Sequence, residues 1–423
     1  MPKGKIDMDY NKILEDIKRK SLDRMAKLDP HSVMHEHAAA VNGMYTDRPL
    51  DFLNFANWTR SFFPGALALL YNHFGDKEFL DYLKELDGIY RKRVKVGIDH
   101  CAMHHDAGFT FVLYSIALYE VSGDKKAYNM SLKVCDEFAK TYRPETGLIQ
   151  GFGGPTGDTI TIADDMMNIS LFMWAYEKTK HPFFRTLFTN HIDTVLKIMV
   201  RDDYSVRHSY RFDANGTPLC EENYCGYAPG SQWARGNAWV IYGLVNAITC
   251  LYHDKGLEWQ EREKRDARLK KGQQDCVRFD RVKTNKYILA LNGILNNFLS
   301  KLPENGVPVW DLKELSKESG ELYDTSAAVI VASALYKLNE YYDVSKLQGI
   351  SKHALEWADK ILDGVTRDYL SPAEHEAFID GGQTGDKMTG VTWGDYFYVE
   401  AIMRKLHGKD CPEFWSKPVL GKY

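Results

Sequence analysis

Six stretches of this chain have helical periodicity yet are apolar on nearly every face: FPGALALLYNHF, GFTFVLYSIALYEV, MMNISLFMWAY, NAWVIYGLVNAI, SAAVIVASALY and DYFYVEAIM. A helix apolar all round must be buried all round, whereas one with a charged stripe faces water. Helices of the second kind follow them: KEFLDYLKELDGIYRKRV, KKAYNMSLKVCDEFAKTY and SKLQGISKHALEWADKIL. Periodicity predicts helices at about 8–28, 63–74, 77–95, 106–122, 125–142, 165–179, 183–200, 233–252, 283–302, 324–341, 344–362 and 394–406. The turns after the first two apolar members, HFGDKEF and VSGDKKAY, echo each other, and KTKHPFF is a weaker third copy. Glycine or proline there stops a helix so that the chain doubles back.

Inner helix, tight turn, outer helix, repeated six times, predicts an all-α fold, the (α/α)6 barrel. The stretch 8–28 serves as outer partner of the last inner helix, and all 423 residues form one catalytic domain. The open solenoid alternative requires more regular repeats. Residues 253–283, densely charged, read as a solvated insertion between the fourth inner helix and its partner.

Net charge is −4 with 44% hydrophobic and 26% charged residues, which excludes a generally basic nucleic-acid or membrane-surface binder. No run of 18 apolar residues and no apolar leader is present, so no membrane span or signal peptide is expected. A monomer or small homo-oligomer in the cytoplasm is expected, or in the periplasm if a leader has been removed. The seven cysteines are odd in number and lack metal spacing, so they read mostly as reduced thiols, with a local Cys220–Cys225 bridge as the lesser alternative. No metal and no cofactor are expected.

Unusual polar residues precede the inner helices: His104-His105-Asp106, Asp164-Asp165, Trp233-Ala-Arg235, Asp324-Thr325 and Trp393-Gly-Asp395. In an α/α barrel the inner helices run the same way, so these groups ring one mouth. Each aspartate alone is a good helix N-cap. The set asks for more, because tandem acids before an apolar run repel each other. In the pair, one can cap while the other faces the cavity. Two carboxyls in a cavity walled by tryptophan are the general plan of a glycoside-processing enzyme.

At these residues the chain resembles the unsaturated glucuronyl hydrolases, glycoside hydrolase family 88. The matching stretches are WTRSFFPG, HHDAGF, IADDMMN, RHSYRFD, GYAPGSQWARGNAW, DTSAA and WGDYFYVEA, from about 58 to 400. The resemblance implies the (α/α)6 barrel, Asp164 as catalytic acid and Asp106 as the second important aspartate. It implies substrate contacts at Trp58, His208, Arg235, Trp239 and Tyr396. His105 and Trp233, beside Asp106 and Arg235, join them as candidates. The implied substrate is an oligosaccharide ending in a 4,5-unsaturated uronic acid, released by hydration of its double bond. Cys225 stands where the family often has glutamine. Of a Ser-x-x-Ser-x-Lys stretch tied to sulfated substrates, only Lys387 remains, which weakens a preference for sulfate. The rival readings are an unsaturated rhamnogalacturonyl hydrolase acting on pectin fragments, an inverting glycosidase and a non-catalytic glycan-binding protein. HHD and WARG…W argue against the first.

Overall fold

The computed structural model describes residues 8–30, 33–35, 39–45, 47–49, 58–96, 105–153, 157–313 and 322–419; Cys101 and His104 lie outside them. Among the described residues the inner helices are Phe62–Phe74, Ala107–Ser122, Asp165–Thr179, Ala234–Leu251, Thr325–Tyr341 and Thr392–His407. The second contains a π-helical turn at Val112–Ile116, and the third is broken briefly at Ile169. Each packs on the next, and the last packs on the first, so the ring closes. The outer helices Lys77–Glu85 with Asp87–Val96, Lys125–Phe138, Pro182–Ile198, Lys271–Leu299 and Ala354–Tyr369 cover them, and Tyr10–Met25 covers the seam between last and first. This is the (α/α)6 barrel that the alternation of apolar and amphipathic helices predicts. No helix of the described residues is long and apolar enough to cross a membrane.

The tight turns have a common cause. The first three inner helices end with a left-handed residue whose N–H bonds back to a tyrosine carbonyl: Gly75 to Tyr71, Gly123 to Tyr119 and Lys180 to Tyr176. Lysine at the third position carries the strain that glycine avoids.

Residues 253–283 are largely exposed and helical: Trp259–Ala267 is a helix with no buried residue, and Lys271 onward is already the outer helix, 29 residues long. The charges staple this segment to the body. Asp254 takes Arg265 at 2.8 Å and Arg281 at 2.7 Å, and the fully buried Asp280 takes Arg185 at 3.1 Å and His253 at 2.8 Å. Strand structure is more extensive than predicted. A four-stranded antiparallel sheet (Phe152–Gly153, Thr159–Ile162, Ser209–Phe212, Pro218–Glu222) stands at the barrel mouth. Its strands are short, two to five residues, too short for alternation to show. Cys220 and Cys225 are both free thiols.

At the far end the C-terminal segment closes the barrel over a buried charge network. Lys337 meets Glu413 at 2.6 Å, Arg404 meets Glu340 at 2.8 Å and Glu400 at 3.0 Å, and the Trp415 indole donates to Glu400 at 3.2 Å. Burial pushes the Glu340 carboxyl up to about 7, which balances three acids against two cations. Desolvation offsets much of the attraction in such a network, while removal of one partner would leave a buried charge unpaired.

Replacing Lys180 by glycine is expected to stabilise the protein by about 1 kcal/mol, read as a higher urea midpoint at unchanged slope. A lower midpoint would show that the lysine side chain outweighs the backbone strain.

Candidate active site

The inner-helix N-termini surround a cavity of about 600 Å³ lined by Trp58, His105, Asp106, Phe152, Ile162, Asp164, His208, Tyr224, Cys225, Trp233 and Arg235. Seven of the ten candidate residues line it: Trp58, His105, Asp106, Asp164, His208, Trp233 and Arg235.

The tandem acids divide their work. Asp165 is fully buried, and its Oδ2 accepts from the Thr161 hydroxyl at 3.0 Å and the Ile162 N–H at 3.1 Å. It ties the helix start to the strand before it. Asp164 makes no cap bond, and its Oδ2 is buried without a hydrogen-bond partner among the described residues. Asp106 likewise makes no cap bond to the helix it precedes. Capping therefore explains neither acid of the cavity.

Burial, and then the charge of Asp106, push the Asp164 carboxyl from 3.8 up to about 7; Arg235 and a backbone N–H pull the other way. A helix N-terminus favours a carboxylate by only about 0.3–1 kcal/mol. A rise to about 7 corresponds to about 4 kcal/mol, so desolvation wins. The Trp239 indole N–H is aimed at this carboxyl without completing a hydrogen bond.

His208 is held as a neutral donor. Its Nδ1 accepts from the Tyr224 N–H at 3.0 Å and the Cys225 N–H at 3.3 Å; two donors against the one Asn223 oxygen at 3.3 Å put the proton on Nε2. That nitrogen lies 4.0 Å from Asp164 Oδ2. Burial lowers the imidazole to about 4, which keeps it uncharged. The Ala163 N–H bonds the His208 carbonyl at 2.8 Å, setting the two residues side by side. Across the cavity His105 Nε2 lies 3.3 Å from Asp106 Oδ1, and burial lowers this imidazole also to about 4. Phe152 meets its ring edge-on at 4.8 Å.

Arg235 sits between the rings of Trp233 (4.6 Å) and Trp393 (5.1 Å). Asp324 pairs with it, and the Gln383 carbonyl accepts from it at 3.0 Å. Asp324 is also the N-cap, through its other oxygen, to the Ser326 N–H at 3.1 Å. The cap reading of this residue was half of its role. Trp58 stacks on Trp393 at 5.0 Å and 29°.

Three candidates fall elsewhere. Trp239 is fully buried between Phe109 and Phe397, so it is the floor under Asp164, not a wall. Tyr396 is 1% exposed among Phe62, Phe397 and Trp415, about a turn below the mouth on its helix. Lys387 is exposed on the hairpin Gly382–Thr384/Lys387–Thr389. It pairs with Thr384, one residue out of step with Gln383, so it projects from the opposite face to the one that meets Arg235.

Sequence reasoning missed Phe152 and Tyr224, which no local pattern marks, and Asp311. The fully buried Asp311 carboxylate accepts from the Ser231 hydroxyl at 2.6 Å, the Gln232 N–H at 2.8 Å and the Tyr227 N–H at 3.0 Å, holding the loop that carries Tyr224 and Cys225. Cys225, where the resemblance expects an amide, is exposed on its loop at the cavity; the protein packed beside its thiol, and then the Asp164 charge, raise it to about 11, so it stays neutral.

A helical barrel whose mouth sets a raised carboxyl beside a second acid, under aromatic walls and one clamped arginine, defines a glycoside-processing enzyme. The family model for Glycosyl Hydrolase Family 88 matches residues 26–272. The chain is 29% identical over 371 residues to the unsaturated chondroitin disaccharide hydrolase of Streptococcus agalactiae serotype III (strain NEM316), covering 85% of this chain and 83% of that protein. It is 30% identical over 368 residues to the unsaturated glucuronyl hydrolase of Bacillus sp. (strain GL1), covering 83% and 87%. The solved structure of the Bacillus sp. GL1 unsaturated glucuronyl hydrolase, responsible for the degradation of glycosaminoglycan, superposes with a TM-score of 0.79 at 24% identity, covering 96% of this chain and 99% of that one. The chain belongs to glycosyl hydrolase family 88.

The raised carboxyl has a consequence for stability. A group whose folded value lies above its unfolded value binds its proton more tightly in the folded state, so stability falls as pH rises from about 4 to 7. Asp164→Asn removes the buried charge, and at pH 8 this variant is expected to be more stable than wild type, by up to about 4 kcal/mol. Below pH 4 the two converge. Equal stability at pH 8, measured by denaturant unfolding, would show that the carboxyl is not desolvated.

Proposed function

We propose that this protein removes the 4,5-unsaturated uronic acid from the non-reducing end of lyase-generated glycosaminoglycan oligosaccharides. The carrying observation is the Asp164 carboxyl in the cavity beside Asp106, its Oδ2 buried and making no cap bond; that setting raises it to about 7, so it can donate a proton and then accept one near neutral pH. The names of the family 88 relatives support the same reading. The unsaturated sugar is a vinyl ether, and hydration answers its chemistry.

Protonated Asp164 gives its proton to C4 of the double bond. Positive charge develops at C5 and the ring oxygen. Ionised Asp106, which lines the same cavity, stabilises that charge. A water loses its proton to the Asp164 carboxylate as its oxygen bonds to C5, so one water is consumed and the acid is restored. The hemiketal formed at C5 opens, and the aglycone leaves from C1. His208 Nε2–H donates to a sugar hydroxyl or to the water. Arg235, packed against the Trp233 and Trp393 indoles, binds the uronate carboxylate with its remaining N–H groups. Trp58 and Trp233 supply the stacking walls.

The enzyme is expected to bleach the absorbance near 235 nm, roughly where conjugated uronates absorb, of unsaturated disaccharides from chondroitin, hyaluronan or heparin. The saturated glucuronide of the same aglycone is expected to stay intact. Cleavage of both at similar rates would replace hydration by direct displacement at C1, and loss of absorbance only with a pectin fragment would move the substrate to the rhamnogalacturonan type. Asp164→Asn is expected to bind the disaccharide with little change while losing at least about 10³-fold in turnover.

A further inference from the structure

We propose that Asn168 is a positioning residue for the reaction: its side chain bolts the turn carrying Asp106 to the turn carrying Asp164 and so sets the separation of the two carboxyls. The inference rests on the roles given to those acids above.

Asn168 is fully buried, one turn after Asp164. Its Oδ1 accepts from the Phe109 N–H at 2.8 Å, and its Nδ2 donates to the Asp164 carbonyl at 3.2 Å. An N–H on one side and a C=O on the other demand this orientation of the amide. The two turns are in backbone contact at the same point. A Cβ on Gly108 would stand 2.2 Å from Asn168 Cα and 2.5 Å from its carbonyl oxygen. Glycine lets the turns meet there, and the asparagine amide locks them.

The other groups around Asp164 are anchored without Asn168. Arg235 is held by Asp324 and Gln383. His208 is held by the N–H groups of Tyr224 and Cys225. Asp165, on the same turn, is held by Thr161 and Ile162. The neutral Cys225 thiol hangs from a loop organised by Asp311. Of the charged groups facing Asp164 from other elements, Asp106 is the one whose turn reaches it through Asn168. Loss of the amide therefore alters one pair selectively: the carboxyls part, their repulsion weakens, and Asp164 releases its proton more easily.

The test is the pH profile of kcat/KM for Asn168→Ala and Asn168→Ser. Asp164 must be protonated to act, so wild-type rate falls as pH rises through about 7. In both variants this limb is expected to move to lower pH by roughly half a unit or more, with kcat down about tenfold and KM within about threefold. In an Asp106→Asn background, which itself lowers the limb, Asn168→Ala is expected to move it no further. The same titration read on the Asp164 carboxyl by 13C NMR needs no turnover, so it separates failure of this inference from failure of the proposed activity. A variant with reduced kcat and an unmoved limb makes Asn168 merely structural and overturns the proposal. If the variants do not fold, Asp106→Asn alone decides: an Asp164 titration unchanged by that substitution overturns it equally.

Discussion

The loss of water around one carboxyl organises the rest of this molecule. Asp164 stands at a helix start, where an exposed acid would ionise readily, yet its Oδ2 is buried without a hydrogen-bond partner among the described residues. Keeping a carboxyl in that state is expensive, by several kcal/mol if it must be charged. The protein tolerates it because the surrounding wall is rigid. Trp239 lies beneath it, the sheet strand ending at Ile162 delivers it, and Asp165 anchors that strand to the helix. A second acid nearby raises the same carboxyl further, and a clamped arginine limits the rise.

The barrel supplies that rigidity by simple means. Six helices apolar on every face bury one another in a ring, and their parallel direction brings distant pieces of chain to one mouth. Small residues set the closest approaches. A Cβ on Gly243 would lie 2.4 Å from the Met166 carbonyl, and one on Gly236 2.7 Å from the Trp233 ring. At the other end, Lys337 and Arg404 gather three glutamates under Trp415 and close the ring with the C-terminal segment. The cavity lies at one end of the ring, and the C-terminal segment covers the other.

The architecture was legible because its cause is a pattern of faces: all-round apolar against amphipathic helices, with a repeated Gly-Asp turn. The lining acids, His208 and Arg235 were legible because they sit at helix starts or in motifs that match family 88. Phe152 and Tyr224 were not, since their place depends on a short sheet paired across residues 152–222. Tyr396 and Trp239 lie in matching stretches and are buried, Tyr396 about a turn below the mouth and Trp239 beneath the Asp164 carboxyl. Asp324 was read as a cap and is one, and its second oxygen pairs with an arginine 89 residues away, a link no local signal carries. The charged run 253–283 hid an outer helix because its buried anchors, Asp254 and Asp280, look like surface charge until their arginines are placed.

The central claim is that Asp164 keeps its proton up to about pH 7. The most direct measurement is an infrared difference spectrum, wild type minus Asp164→Asn, followed from pH 4 to 9 in the absence of substrate. The account predicts a protonated-carboxyl C=O band that persists up to about pH 7 and disappears above it. A carboxylate signal already complete at pH 5 would contradict it, and the proton for C4 would have to come from another group.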